Sequence, residues 1–206
     1  MQEKFFLRDF CDEDYKFLKQ IVIDTWFNED FDKQEIVNEF AEVYLSSYFI
    51  NRTFAKVAIV DNTLVGIIMG KNLKIHKYSL KFYLKKFYFT FLLYINKKGR
   101  EALKIFNDIN KIDRELLKKS KHHYTGEAVL FIVNSKYRGY GIGRKLFESL
   151  LNYMKNEKVD KFYLFTDTYC NYHFYEQYGM KCCCEKGYSF NGKNEREDIT
   201  FFLYES

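Results

Sequence analysis

The sequence predicts one α+β domain spanning residues 1–206, with six to seven strands flanked by helices and a helical insertion at residues 71–121. Three observations carry that reading. A length of 206 residues with 47% hydrophobic and 20% aromatic residues suits a single well-filled core. Apolar residues recur at helical spacing in some segments and fill short strand-like runs in others. Read in order, these segments give strand, two helices, hairpin, insertion, strand, helix, strand, helix, hairpin.

Phe5 and Leu7 open with a short strand. Asp12 then caps a helix with apolar positions at Tyr15, Leu18, Ile21, Val22 and Trp26, and a second helix from about Asp32 carries Ile36, Val37, Phe40, Val43, Tyr44 and Tyr48. Phe54 to Val60 and Thr63 to Gly70 form a hairpin about the tight turn Asp61-Asn62. The insertion holds fifteen basic and four acidic residues. Its second half is an amphipathic helix through Ala102, Ile105, Phe106, Ile109, Ile112 and Leu116; its first half alternates like a strand at Tyr78, Leu80, Phe82 and Leu84 but reads better as a helix to Tyr94. Glu127 to Val133 is a strand, followed by a glycine-rich turn and a helix with Leu146, Phe147, Leu150, Leu151 and Met154 inward. A strand at Lys161 to Thr166 and a short helix at Tyr172 to Tyr178 ending at Gly179 come next, then a hairpin turning at Asn191-Gly192.

Composition excludes several classes of protein. The formal charge of +5 is too mild to mark a nucleic-acid binder. The longest run without a charge, Phe87 to Asn96, is about half a membrane span, and charges interrupt the N-terminus where a signal peptide needs an apolar run, so the expected location is cytoplasmic. Cys182, Cys183 and Cys184 are adjacent, a poor spacing for a disulfide or zinc site, and no metal is expected. His122 and His123 read as a solvated pair among lysines.

Three glycines crowd into Tyr137-Arg138-Gly139-Tyr140-Gly141-Ile142-Gly143-Arg144-Lys145, between a strand and a helix. Glycines let successive N–H groups point inward, and the helix start adds its positive dipole end, so the turn suits a phosphate or pyrophosphate. Arg144 stands where a dinucleotide fingerprint begun at Gly139 needs glycine, and the Gly-Lys-Ser/Thr of a Walker loop is missing. What remains is Arg138-x-x-Gly141-x-Gly143. With the preceding strand Val129 to Val133, and with Phe174-Tyr175-Glu176-Gln177-Tyr178-Gly179-Met180 further on, it closely resembles the GNAT superfamily of acetyl-CoA-dependent N-acetyltransferases.

The resemblance implies a mixed, mostly antiparallel central sheet and acetyl-CoA as acetyl donor. It implies that the amides of Arg138, Gly139, Tyr140, Gly141, Ile142 and Gly143 hold the pyrophosphate, assisted by Arg144 or Lys145. The pantetheine arm would pair with a splayed strand end at Phe131, Ile132 and Val133, whose backbone also polarises the thioester carbonyl. Tyr175 takes the position of the general acid that protonates the leaving thiolate, since thiols have a pKa of about 8.5. Glu127 matches a glutamate that takes the acceptor's proton in some members; its other reading is a solvated strand end. Strict alternation would put Glu127 on one face with Val129, Phe131 and Val133. Thr168 stands where the family has a pantetheine-binding asparagine, and Asn171 is a further neighbour.

Ten acids against three bases between Asp12 and Glu42 suggest an acidic wall for a cationic amine, or simply two solvated helix faces. The expected partners are therefore acetyl-CoA and a small amine acceptor, with no nucleic acid and no membrane span, and a homodimer left open. The alternatives are a protein or peptide N-acetyltransferase, and an acetyl-CoA-binding module whose basic insertion engages a membrane surface or nucleic acid.

Overall fold

The computed structural model describes residues 5–27, 34–191 and 196–206. Seven strands make one sheet: β1 (Phe5–Asp9), β2 (Phe54–Val60), β3 (Thr63–Asn72), β4 (Gly126–Val133), β5 (Phe162–Asp167), β6 (Lys181–Asn191) and β7 (Arg196–Glu205). The order across it is β1-β2-β3-β4-β5-β7-β6, antiparallel throughout except that β4 and β5 run parallel. This is the mixed, mostly antiparallel α+β sheet expected, and the elements follow the expected order.

The helices divide between the two faces. α1 (Tyr15–Val22), α2 (Gln34–Phe49), α3 (Leu80–Ile95) and α4 (Lys97–Ser120) cover one; α5 (Ile142–Asn156) and the single turn α6 (His173–Glu176) cover the other. Leu18, Val22, Val37 and Leu45 pack against Val57, Ile67 and Met69 on the first face. On the second, Leu146, Phe147 and Leu150 pack against Val65, Ile68 and Leu164. The inward stripes of α2 and α5 are those that helical spacing picks out, because only a face about 100° wide can be buried while the other stays wet.

Local details depart from the sequence reading where a side chain competes with the backbone. Cys11, not Asp12, caps the first helical turn, since Asp14 reaches back to accept from the Cys11 amide at 2.9 Å. Asp61 and Asn62 both adopt positive φ (45° and 61°), the mirror-image turn that matches strand twist. The turn at Asn191-Gly192 lies outside the described residues. Both halves of the insertion are helical, but β3 runs through Asn72, so Lys71 and Asn72 belong to the sheet. The insertion is also part of the core. Phe82 stacks on Tyr15, Phe106 meets Phe40 edge-on, and Ile112 and Leu116 pack with Tyr163 and Leu203. Gly99 lets α3 and α4 meet, because a Cβ there would lie 2.2 Å from the Leu93 carbonyl oxygen.

Candidate active site

The glycine turn begins where β4 stops. Asn134 donates its amide to Val65 and accepts from Lys136, starting a single tight turn over Ser135–Tyr137, and Arg138 donates from Nε back to the Val133 carbonyl at 3.2 Å. Gly139 and Gly141 follow at φ of 86° and 82°, and Gly141 is the N-cap of α5. A side chain at either would be strained by that backbone. The space above both is open, whereas a Cβ at Gly143 would press on the Phe131 ring at 3.4 Å. The amides at the start of a 15-residue helix thus have an open, positively polarised approach, which fits a pyrophosphate. Ile142 is buried, so it has only its backbone to offer. Tyr140 and Arg144 are exposed, while Lys145 pairs with Glu148 at 3.0 Å and is not the free cation expected beside Arg144.

β4 and β5 pair only from Gly126 to Ala128, opposite Phe162 to Leu164. Beyond that they part: β4 keeps β3 on one edge as far as Val133, and β5 turns to β7. The edge of Val129–Val133 that faces β5 is left unpaired by any strand. Backbone groups must be satisfied somewhere, and this edge suits the amide-bearing arm of acetyl-CoA as an added strand.

One expectation about this strand is corrected. The β3–β4 register slips between Met69, opposite Leu130, and Gly70, opposite Ala128, so Val129 is an extra bulged residue. Alternation restarts after it. Leu130 and Ile132 face the α1–α3 side, Phe131 and Val133 face the α5 side, and Glu127 lies across the sheet from Phe131 and Val133 instead of sharing their face.

On the α5 face, the Tyr175 ring packs against Phe131, Phe147 and Tyr204 with centroids 6.5, 5.6 and 6.0 Å away. Burial, with smaller contributions from Cys170 and Asp167, holds its phenol above the usual range, so it stays protonated, as a proton donor must. Thr168 follows the end of β5. Its hydroxyl accepts from the Thr200 amide on β7, on the far side of β5 from β4. Asn171 is exposed and its carbonyl accepts from Phe174 at the start of α6.

On the α2/α4 face the structure brings together residues from four elements. Glu127 pairs with Lys71 at 3.2 Å, both largely buried. Its charge bears on Tyr163 beside it, Tyr48 of α2 and Asp113 of α4. Asp113 Oδ1 is buried without a hydrogen-bond partner. Burial, then the charges of Glu127 and Asp167, push the Asp113 carboxyl up to about 7, with Arg114 opposing weakly. Asp167 ends β5, and its charge also reaches Tyr44 and the Cys170 thiol, which burial and Asp167 push up to about 11. Tyr44 and Tyr48, one turn apart with ring centroids at 4.9 Å, flank the group. Sequence reading missed Asp113. Its signal was present: it stands in the inward series Ala102, Phe106, Ile109, Leu116, where an apolar residue belongs.

Several acids of the N-terminal helix pair are engaged by cations of the same chain. Asp14 is locked to Arg8, Asp12 to Lys81, and Glu42 to Lys19 and Lys85; Glu29, Asp30 and Asp32 lie outside the described residues. Many insertion cations are likewise engaged, including Lys71 with Glu127 and Lys74 with Asp160. His122 is hydrogen-bonded to Glu205 at 2.6 Å rather than merely solvated. Among the described residues His122, Cys183 and Glu205 bring possible metal donors within 4.8 Å, but the Lys161 ammonium already sits 2.8 Å from Glu205 and 3.3 Å from His122. No described helix is long and apolar enough to cross a membrane.

Residues 17–180 match the model of the acetyltransferase (GNAT) family, which places this chain in that family as an acetyl-CoA-dependent N-acetyltransferase. Similar solved structures include a protein of Pyrococcus horikoshii OT3, at 15% identity and a TM-score of 0.61 over 98% of both chains. The PaiA N-acetyltransferase from Thermoplasma acidophilum, in complex with coenzyme A, aligns at 14% and 0.51 over 98% of both. The ribosomal-protein-S18-alanine N-acetyltransferase of Escherichia coli aligns at 11% and 0.54, covering 97% of this chain and 92% of its own. At such identities the likeness is one of fold. No curated protein matches the chain.

Proposed function

We propose that this enzyme acetylates a primary amine on a small cationic molecule. The observation that carries the reading is the group Asp113, Glu127 and Asp167 beside Tyr44 and Tyr48, three carboxylates against one paired lysine on the acceptor side of the β4–β5 divergence. Carboxylates and aromatic faces both favour a cation.

Free alkylammonium groups have a pKa near ~10.4, so the acceptor arrives charged and must lose a proton. Glu127, partnered by Lys71, holds the ammonium, and Asp113 takes the proton directly or through one water. A carboxyl near 7 is suited to that task, because a base works best when its pKa lies near the working pH. The freed lone pair attacks the thioester carbonyl carbon, whose oxygen is stabilised by donors on the open edge of β4. As the tetrahedral intermediate collapses, the C–S bond breaks, Tyr175 protonates the sulfur and the nitrogen gives its second proton to water. Acetyl-CoA is bound from the α5 side by the turn at Arg138 to Gly143, Arg144 assisting, with the strand end Phe131 to Val133 beside its arm.

The test is an acceptor screen that follows thiol release from acetyl-CoA with polyamines, aminoglycosides, amino acids and peptides with free N-termini. Turnover with polyamines or aminosugars is the expected result. Turnover confined to peptides would replace this reading with a protein N-terminal one.

A further inference from the structure

α3 is amphipathic in an inverted sense. Of its nine exposed positions eight are apolar or aromatic, and the ninth, Lys81, pairs with Asp12 at 2.6 Å. Phe82 and Leu93 are buried against α2 and the core, while Lys85 is tied to Glu42 and Lys86 is half-buried. The outward stripe includes Leu80, Leu84, Phe87, Tyr88, Phe91 and Ile95, each between 55% and 69% exposed. None of the described residues covers it. Single exposed apolar residues need no explanation, but a continuous stripe along a 16-residue helix, about 24 Å, does.

We propose that this stripe is the interface of a two-fold symmetric dimer, and that its occupant is a second copy of the chain. Its spacing supports a self-pairing. If two α3 helices cross antiparallel about a point between Phe87 and Tyr88, Leu80 faces Ile95, Leu84 faces Phe91 and Phe87 faces Tyr88, apolar against apolar at every step. The only exposed charge, Lys81, falls opposite Tyr94, where its stem covers a ring and its ammonium keeps Asp12. With six large side chains each 55–69% exposed, the stripe offers roughly 700 Å² per copy if wholly covered, close to the ~800 Å² per partner of a standard stable interface. Charge argues against a lipid surface. A membrane-lying helix presents lysines on the flanks of its apolar face to anionic headgroups, whereas of the three lysines of α3 two, Lys81 and Lys85, are paired with carboxylates and the third, Lys86, is half-buried.

Analytical ultracentrifugation of the full chain from about 0.5 to 100 µM, with and without the paired substitution Phe87→Glu and Phe91→Glu, tests this. The parent should sediment as a dimer. The double variant, which changes only exposed positions, should be monomeric with its circular dichroism and coenzyme A affinity unchanged, a weakening of about 100-fold or more. Leu84→Lys provides the same readout should the double variant fail to fold. A parent that stays monomeric overturns the proposal, and flotation of that monomer with phosphatidylserine vesicles would assign the stripe to a membrane. Dimers that survive both sets of substitutions overturn it too, by placing the contact elsewhere.

Discussion

The two faces of the sheet offer their candidate sites different materials. On the α5 side the candidate donor site is mostly backbone: two glycines at positive φ, a helix start and a strand edge without a neighbour. On the α2/α4 side the candidate acceptor site is all side chain, drawn from α2, α4, β4 and β5. A backbone cradle depends on conformation and tolerates wide change in sequence around it. A cluster of carboxylates and tyrosines depends on who the neighbours are. One side is therefore suited to a fixed co-substrate, and the other to one that differs between relatives of the same fold.

Four substitutions probe that division, beginning where the effect is largest. Tyr175→Phe keeps the ring packed on Phe147 and removes one oxygen, so turnover should fall by about 10² to 10⁴ with coenzyme A affinity unchanged. Parent-like turnover would make Tyr175 a packing residue. Next, Asp113→Asn should cost about 10² in rate and abolish the rise of kcat/KM through pH 7 that is expected of the parent as this carboxyl ionises. Because the folded state raises this pKa, Asp113 costs stability progressively as pH climbs from the ordinary carboxylate range to about 7, with no further loss above it, so the Asn variant should also melt higher than the parent at pH 8. An unchanged pH profile would move the proton's route to Glu127 or to water.

Gly141→Val breaks the other side. A non-glycine residue in the left-handed region costs about 1–2 kcal/mol, and more when β-branched, so calorimetry should show coenzyme A binding weakened by roughly 10- to 30-fold with acceptor KM little changed. The smallest effect is reserved for a position on neither side. Glu205 accepts from Lys161, Tyr124 and His122, and although burial opposes them these partners hold its carboxyl down to about 2. A lowered pKa contributes stability above the ordinary carboxylate range and loses it as pH falls toward 2. Glu205→Gln should thus destabilise by about 1–3 kcal/mol at pH 7, a difference that narrows in acid, with kinetics unaltered.

The backbone geometry of the candidate donor turn was legible in the sequence because it is local. Arg138, Gly139, Gly141 and Gly143 are consecutive or nearly so, and positive φ leaves a mark in residue type. The element order was legible for the same reason, each stripe being read within its own segment. Asp113 and Glu127, by contrast, meet only once α4 is laid across β4. The partners of the acids between Asp12 and Glu42 were not legible, because proximity in sequence says nothing about them: Asp12 and Glu42 find theirs, Lys81 and Lys85, some forty to seventy residues away. The face of Glu127 was misjudged by one residue. Val129 has no counterpart in β3, and counting by twos cannot foresee that.

That extra residue acts as a half-turn coupling in an otherwise rigid shaft. Upstream of it β4 shows the acceptor side its carboxylate; downstream it shows the donor side Phe131 and Val133, whose rings and methyls floor the helix that starts at Ile142. Shortening the strand by the one residue would restore simple alternation and rotate Glu127 out of reach of Lys71 and Asp113, into the apolar packing under α5. The two substrates would then be asked to meet from the same side of the sheet. In the proposed mechanism, a single unpaired valine is what lets one strand serve two reactants arriving from opposite directions.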